Sequence, residues 1–133
     1  MDKIRVLALG GLDEDGKDLY VIEVNDDIFV IGAGFRYPTK TTPGIDFIIA
    51  NFDYLKENKE RVKAYILPKG KTNSFGALPY IIQEVPAPVY CTQLTGLYLD
   101  LFTKERKIAY TYDFKYITLP SKVDISGREF MFF

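Results

Sequence analysis

Residues 66–80 read Ile-Leu-Pro-Lys-Gly-Lys-Thr-Asn-Ser-Phe-Gly-Ala-Leu-Pro-Tyr and join an apolar run, Ala64–Leu67, to a second one over about 75–84. The first run predicts a buried strand stopped at Pro68. The second predicts a helix capped by Asn73 or Ser74, whose side-chain oxygens suit the open N–H groups of a first turn. Pro79 falls early in that helix, where a missing N–H costs least. A strand, a small-residue loop and a helix in succession point to a sheet covered by helices.

The rest of the chain fits that outline. Ile4–Leu9, Leu19–Val24 and Ile28–Ile31 read as strands, the last two joined by a turn at Asn25-Asp26-Asp27. Gly10-Gly11 allow a tight backbone path, and Pro38 to Pro43 predict a loop. Asp53–Asn58 predicts a short helix and Val89–Cys91 a strand. Thr92 opens a helix to about Thr103, in which Leu94, Leu97, Tyr98, Leu101 and Phe102 recur at helical spacing and are expected to form the buried face. Tyr116–Leu119 and Glu129–Phe133 read as strands, with a turn at Ser126-Gly127. The order β-β-β-α-β-α-β-α-β-β implies one α/β (α+β) domain over residues 1–133, a mixed sheet with helices on one face.

Composition sets bounds on this. Hydrophobic residues make up 47% of the chain, including ten Tyr and ten Phe, which is ample for a core. No apolar run approaches the roughly 18 residues of a membrane span, and Met1-Asp2-Lys3-Ile4 shows no signal-peptide pattern. No membrane partner is expected, and a cytoplasmic location is. Cys91 stands alone, so no internal disulfide forms; with no His to activate it, it reads as a packed small hydrophobe. The net charge of −1 argues against a general polyanion-coating protein. Charge is uneven nonetheless. Asp13, Glu14, Asp15 and Asp18 make the first loop acidic. Lys56, Lys59, Arg61, Lys63, Lys69 and Lys71 make the middle basic, offset by Glu57 and Glu60.

The loop at 66–80 resembles the metal-binding loop of the metallo-β-lactamase superfamily, His-x-His-x-Asp-His before a small-residue helix start. Lys69 and Lys71 stand at the two His positions, Asn73 at the Asp and Ser74 at the last His. Other segments resemble the ribonuclease J (β-CASP) branch in order and spacing: residues 6–24, the turn after Ile28-Phe-Val-Ile with Gly32 in place of an Asp, residues 43–55, Leu78-Pro79-Tyr80 and Pro88-Val89-Tyr90. Residues 123–133 resemble the hairpin that precedes that family's next ligand. The resemblance implies the N-terminal half of an αββα sandwich, without the β-CASP or C-terminal domains. A naturally short protein and a fragment both remain open.

The altered positions bear on chemistry. Zinc takes N, S or O donors with a free lone pair at about 2 Å, and a Lys ammonium, with an ordinary pKa of about 10.4, offers none. The expectation is therefore no metal, no cofactor and no catalytic residue. Lys69, Lys71, Asn73 and Ser74 could instead hold an RNA phosphate at a helix N-terminus, or simply face solvent and cap the helix. Phe35 and Tyr37 could stack on bases or cover the core edge, and Tyr110, Tyr112, Phe114 and Tyr116 alternate so that one face carries four rings, expected to pack against protein. The resemblance implies an apolar sheet face left open, which predicts a homodimer or a larger ribonuclease J-like subunit as partner. The leading expectation is a catalytically inactive ribonuclease J-like protein acting by association, as a structural or regulatory subunit of an RNA-processing assembly. The alternative is a fragment of a zinc-dependent ribonuclease whose activity depends on the remainder.

Overall fold

Alternation of apolar residues along the strands gives the sheet two buried faces. The computed structural model describes all residues except 14–15, 38–43, 45–47 and 69 and the side chain of residue 73. Strands β1 (Ile4–Gly10), β2 (Leu19–Val24) and β3 (Asp27–Ile31) form an antiparallel meander. The turn between β2 and β3 sits at Asn25-Asp26, with Asn25 at φ 56°; its side chain ties down the N-terminus by accepting from Lys3 N at 2.9 Å and donating to Asp2 at 2.9 Å. A small ribbon, β4 (Phe35–Arg36) with β5 (Ile48–Ile49), follows, and then helix α1 (Asp53–Glu57) with a 3-10 turn at Lys59–Arg61. Strand β6 (Val62–Ile66) runs parallel to β3 and completes the expected buried strand.

The single helix expected over 75–84 is instead two short ones, α2 (Thr72–Phe75) and α3 (Leu78–Ile81). The reason is a competing pair of backbone bonds. Ala33 N donates to Ser74 O at 2.6 Å and Ala77 N donates to Ala33 O at 2.8 Å. Those two groups are therefore turned to the loop after β3 and not to a continuous helical ladder. Neither Asn73 nor Ser74 caps α2: the N-cap is Lys71, with no side-chain cap. Pro79 does stand in the first turn of α3.

Strand β7 (Val89–Cys91) and helix α4 (Gln93–Glu105) agree with expectation, and Thr92 Oγ1 accepts from Thr95 N at 3.4 Å at the helix start. The buried face of α4 does not. It consists of Thr95, Gly96, Leu99 and Thr103, while Leu94, Leu97, Tyr98 and Leu101 are exposed and Phe102 is half-buried. A Cβ on Gly96 would lie 2.7 Å from the Tyr116 ring and 3.5 Å from Cys91 Sγ, so the helix sits on the sheet through its small residues. Strand β8 (Phe114–Tyr116) ends earlier than expected; Ile117 N still reaches Cys91 O at 2.9 Å, after which the chain leaves the sheet. Strands β9 (Ser121–Ile125) and β10 (Arg128–Phe132) form a hairpin turned at Ser126-Gly127, both at positive φ.

The six-stranded sheet has the order β1-β2-β3-β6-β7-β8, with β3, β6, β7 and β8 parallel. One face packs Val21, Val30, Tyr65 and Val89 against Leu55, Leu78, Ile82 and Leu99 from the helices. The other is not left fully open. Phe29, Ala64 and Ile66 pack against Ile125, Val123, Phe130 and Phe132 of the β9–β10 hairpin. What stays bare on that face is its β1 margin, where Ile4 and Val6 are exposed.

Candidate functional site

The altered ligand loop leaves the C-terminal end of β6, beside the turns that follow β1 and β3. Leu67 N bonds Tyr90 O at 3.0 Å and Gly32 N bonds Ile66 O at 2.9 Å, so both loops start from fixed points on the sheet. Gly32 sits at φ +74°, a conformation that residues with a Cβ adopt with strain. Gly34 N donates to Asp18 O at 2.8 Å, which brings Asp18 to the same corner.

Four positions were singled out here. Lys69 lies outside the described residues, as does the side chain of Asn73. Lys71 is exposed, in extended conformation at the N-cap of α2. Ser74 is only 3% exposed. Its N–H is taken by Lys71 O at 2.8 Å and its carbonyl by Ala33 N. Lys71 and Ser74 are therefore not brought together as one anion cradle: one faces solvent and the other is part of the packing. The helix behind them has four residues, too short to present the N-terminal field assumed for an RNA phosphate.

The donors do not fit the dinuclear metal centre that the motif's frame implies. Lys71 offers an ammonium, Ser74 is withdrawn into the fold, Gly32 has no side chain, and the chain contains no His. Among the described residues, no three His, Cys, Asp or Glu side chains gather in one place. Cys91 is fully buried, and burial pushes its thiol up to about 11, away from nucleophilic use.

The aromatics divide. Phe35 is core, with Tyr37 exposed and edge-on to it at 5.0 Å and the Arg106 guanidinium over its ring at 5.6 Å. Tyr110, Tyr112, Phe114 and Tyr116 form a continuous ladder with centroids 5.1, 5.2 and 5.4 Å apart. The ladder is not wholly covered by protein, since Tyr112 is buried while Tyr116 is 52% exposed. With α4 it walls an open groove of about 930 Å³. Sequence reasoning noted the alternation but not the groove, because it assigned the apolar stripe of α4 to the core. It also missed Glu23, buried between Arg5, Arg61 and Tyr54 at the far end of the sheet. The alternation of Leu19, Val21 and Glu23 on one strand face was the available signal.

Comparison with known proteins decides the family. The chain is 43% identical to ribonuclease J 2 of Streptococcus pyogenes serotype M3 over 104 residues, 78% of this chain. It is 44% identical to ribonuclease J2 of Bacillus subtilis strain 168 over 94 residues, 71% of this chain. The chain is ribonuclease J-like. It spans only 19% and 17% of those two relatives. No protein-family model matches the sequence. Among solved structures, a histidine-to-asparagine mutant of a flavo di-iron protein from Thermotoga maritima superposes with a TM-score of 0.57 at 12% identity, over 97% of this chain and 36% of that one. The fold of the ribonuclease J-like chain is therefore of the metallo-β-lactamase type. No helix among its described residues is long and apolar enough to cross a membrane.

Proposed function

We propose that this ribonuclease J-like chain does not itself cleave RNA by metal-assisted hydrolysis and acts by association within an RNA-processing assembly. The observation that carries this is the chemistry at the former ligand loop: an exposed ammonium at Lys71, a buried Ser74 and a Gly at position 32, in a chain without His. Metal-assisted cleavage needs an ion that acidifies a bound water and polarises the phosphate, and this set offers it no grip. Its partner would be a second copy or a larger ribonuclease J-like subunit. Lys71, as an exposed lysine, adds at most a weak, sequence-independent phosphate contact, to which the charge of Lys69 would add.

The second reading keeps an enzyme, as one segment of a zinc-dependent ribonuclease. Its support is the length ratio, since the matched relatives are about five times longer than the aligned segment. Metal quantification and a ribonuclease assay on the purified protein separate the two. The first reading expects substoichiometric zinc and manganese and no chelator-sensitive cleavage; stoichiometric metal with cleavage lost on chelation overturns it. For the phosphate contact, Lys69→Ala with Lys71→Ala should weaken RNA binding and reduce the magnitude of the salt slope by about 1.4. An unchanged slope removes the lysines from the reading.

A further inference from the structure

The cleft around Glu23 holds more cationic charge than its buried carboxylate neutralises. It has a volume of about 450 Å³ and is walled by Lys3, Arg5, Glu23, Asn25, Asp26 and Arg61. It lies where β6 begins, whereas the altered ligand loop leaves the other end of that strand. Oε2 of Glu23 faces both guanidiniums, at 3.3 Å from Arg5 Nη1 and 3.5 Å from Arg61 Nη2, and Oε1 accepts from Tyr54 Oη. One buried anion thus holds two cations together and leaves one positive charge over. The two arginines differ in what they have left to offer. Arg61 is spent within the fold, since Nε donates to Asp26 O and Nη1 to Asn58 Oδ1, both at 2.9 Å. Arg5 has only the contact through Nη1, so Nε and Nη2 meet no acceptor among the described residues. Lys3 precedes Arg5 by two residues of extended chain, which sends both side chains to one face. Its ammonium has no ion-pair partner among the described residues. Asp26 is exposed at the turn, and only its carbonyl is bonded.

We propose that this cleft binds the phosphate monoester of a small polyol, a sugar phosphate. Arg5 Nε and Nη2 and the Lys3 ammonium take the phosphate, and the Asp26 carboxylate accepts from a sugar hydroxyl. A guanidinium already oriented by a carboxylate presents its remaining donors as a planar fork, which matches two phosphate oxygens. Arg61 acts as a positioning residue: it shares the Glu23 oxygen with Arg5 and is itself fixed by two further bonds. Charge selects a small ligand over a nucleic-acid strand. Lys3, Arg5 and Arg61 against Glu23 and Asp26 leave a single positive charge in the cleft. One phosphate monoester, at about −1.5 to −2 near neutral pH, more than matches it. The neighbouring phosphates of a strand would find no further cation there, and would face the Asp26 carboxylate at the exposed turn.

Amide chemical-shift mapping on the 133-residue protein tests this, with ribose 5-phosphate, ribose and a short 5′-hydroxyl RNA as probes. Ribose 5-phosphate should give saturable shifts at residues 3–5, 23–26 and 61, and ribose none. Arg5→Gln should weaken binding about tenfold and Lys3→Gln about threefold, as loss of a bidentate and of a single charged contact would. The Lys3 side chain makes no contact with Glu23, so Lys3→Gln decides the matter if Arg5→Gln fails to fold. An absence of saturable shifts overturns the proposal, as do equal shifts with ribose or an affinity indifferent to Lys3→Gln. Binding abolished by Lys71→Ala also overturns it, by moving the phosphate to the altered ligand loop. RNA that shifts the same residues at lower concentration than ribose 5-phosphate overturns the assignment to a small ligand. None of these readouts involves metal content or RNA cleavage, so the result stands apart from the reading of that loop.

Discussion

The ring of Phe130 lies 4.9 Å from that of Phe29, centroid to centroid, with the planes inclined at 59°. Phe29 stands at the centre of the sheet and Phe130 on the hairpin that roofs it, so this pair fastens the last two strands to the rest of the fold. Phe130→Ala should destabilise the protein by about 2–3 kcal/mol, at the lower end for Phe→Ala because Phe130 is only partly buried. Urea unfolding measures this, and increased dye binding to the uncovered Phe29 face should accompany it.

The strands β1, β2, β3, β6, β7 and β10 were legible in the sequence because burial alone decides their residue pattern, as in Leu19, Val21 and Glu23 against Tyr20, Ile22 and Val24, whereas the two-residue strands β4 and β5 and the strand β9 were not, and β8 was placed two residues late. The helices were less so. On α4 the apolar residues at helical spacing, Leu94, Leu97, Tyr98 and Leu101, face out, and the smaller Thr95, Gly96, Leu99 and Thr103 face the sheet. A pattern of apolar residues marks a face that avoids water, but not which neighbour covers it, and close packing selects small residues that carry little hydrophobic signal. The split between α2 and α3 was hidden for a different reason. It follows from Ala33, some forty residues earlier, whose two backbone bonds interrupt the helical ladder at Ser74 and Ala77. At the candidate site the chemical identity of Lys71 and Ser74 was readable, but their separation into surface and core was not.

That interruption makes Gly76 a sensitive position. A Cβ there would meet the Phe35 ring at 2.8 Å, and Phe35 is itself fully packed between Phe102, Tyr37 and the Arg106 guanidinium. Gly76→Ala, ordinarily mild in helical backbone, should here cost about 1–3 kcal/mol by overpacking. Differential scanning calorimetry would show a lower transition temperature. A second substitution, Phe35→Leu, should recover part of the loss in Gly76→Ala while destabilising the parent, a coupling that double-mutant analysis resolves.

Glu23 holds the opposite end of the sheet. Its carboxylate is 2% exposed, accepts from Tyr54 Oη, and lies 3.3 Å from Arg5 Nη1 and 3.5 Å from Arg61 Nη2. Arg61 is held in place independently, through Nε to Asp26 O at 2.9 Å and Nη1 to Asn58 Oδ1 at 2.9 Å. Glu23→Gln keeps the shape and removes the charge, leaving two guanidiniums around a neutral amide. A loss of about 2 kcal/mol is expected, below the range for a fully buried pair because both arginines reach solvent. Equilibrium unfolding reads this loss. It should change little between low and high salt, since the carboxylate itself is shielded from ions.

Alkaline pH should unfold the protein through its buried phenols and thiol. Burial raises the Tyr65 hydroxyl, which donates to Val85 O at 2.6 Å, far above its ordinary value of 10.0. Burial also pushes Tyr112 up to about 12 and Cys91 up to about 11. Thr103 Oγ1 already donates to Leu99 O at 2.7 Å, so at the 2.5 Å contact with Tyr112 the neutral phenol is the donor; burial raises the phenol more than this hydrogen bond lowers it. In each case the folded pKa exceeds the unfolded one. The unfolded chain therefore loses its protons first as pH rises, and their contribution to stability is intact below about pH 8 and falls away as pH climbs from about 9 to 12. Urea midpoints across that range should decline steadily. Tyr112→Phe should lower the midpoint at neutral pH, by removal of the bond to Thr103, and make the alkaline decline shallower. An equally steep decline in Tyr112→Phe would assign the alkaline loss to Tyr65, Cys91 and Tyr110, whose hydroxyl burial also raises.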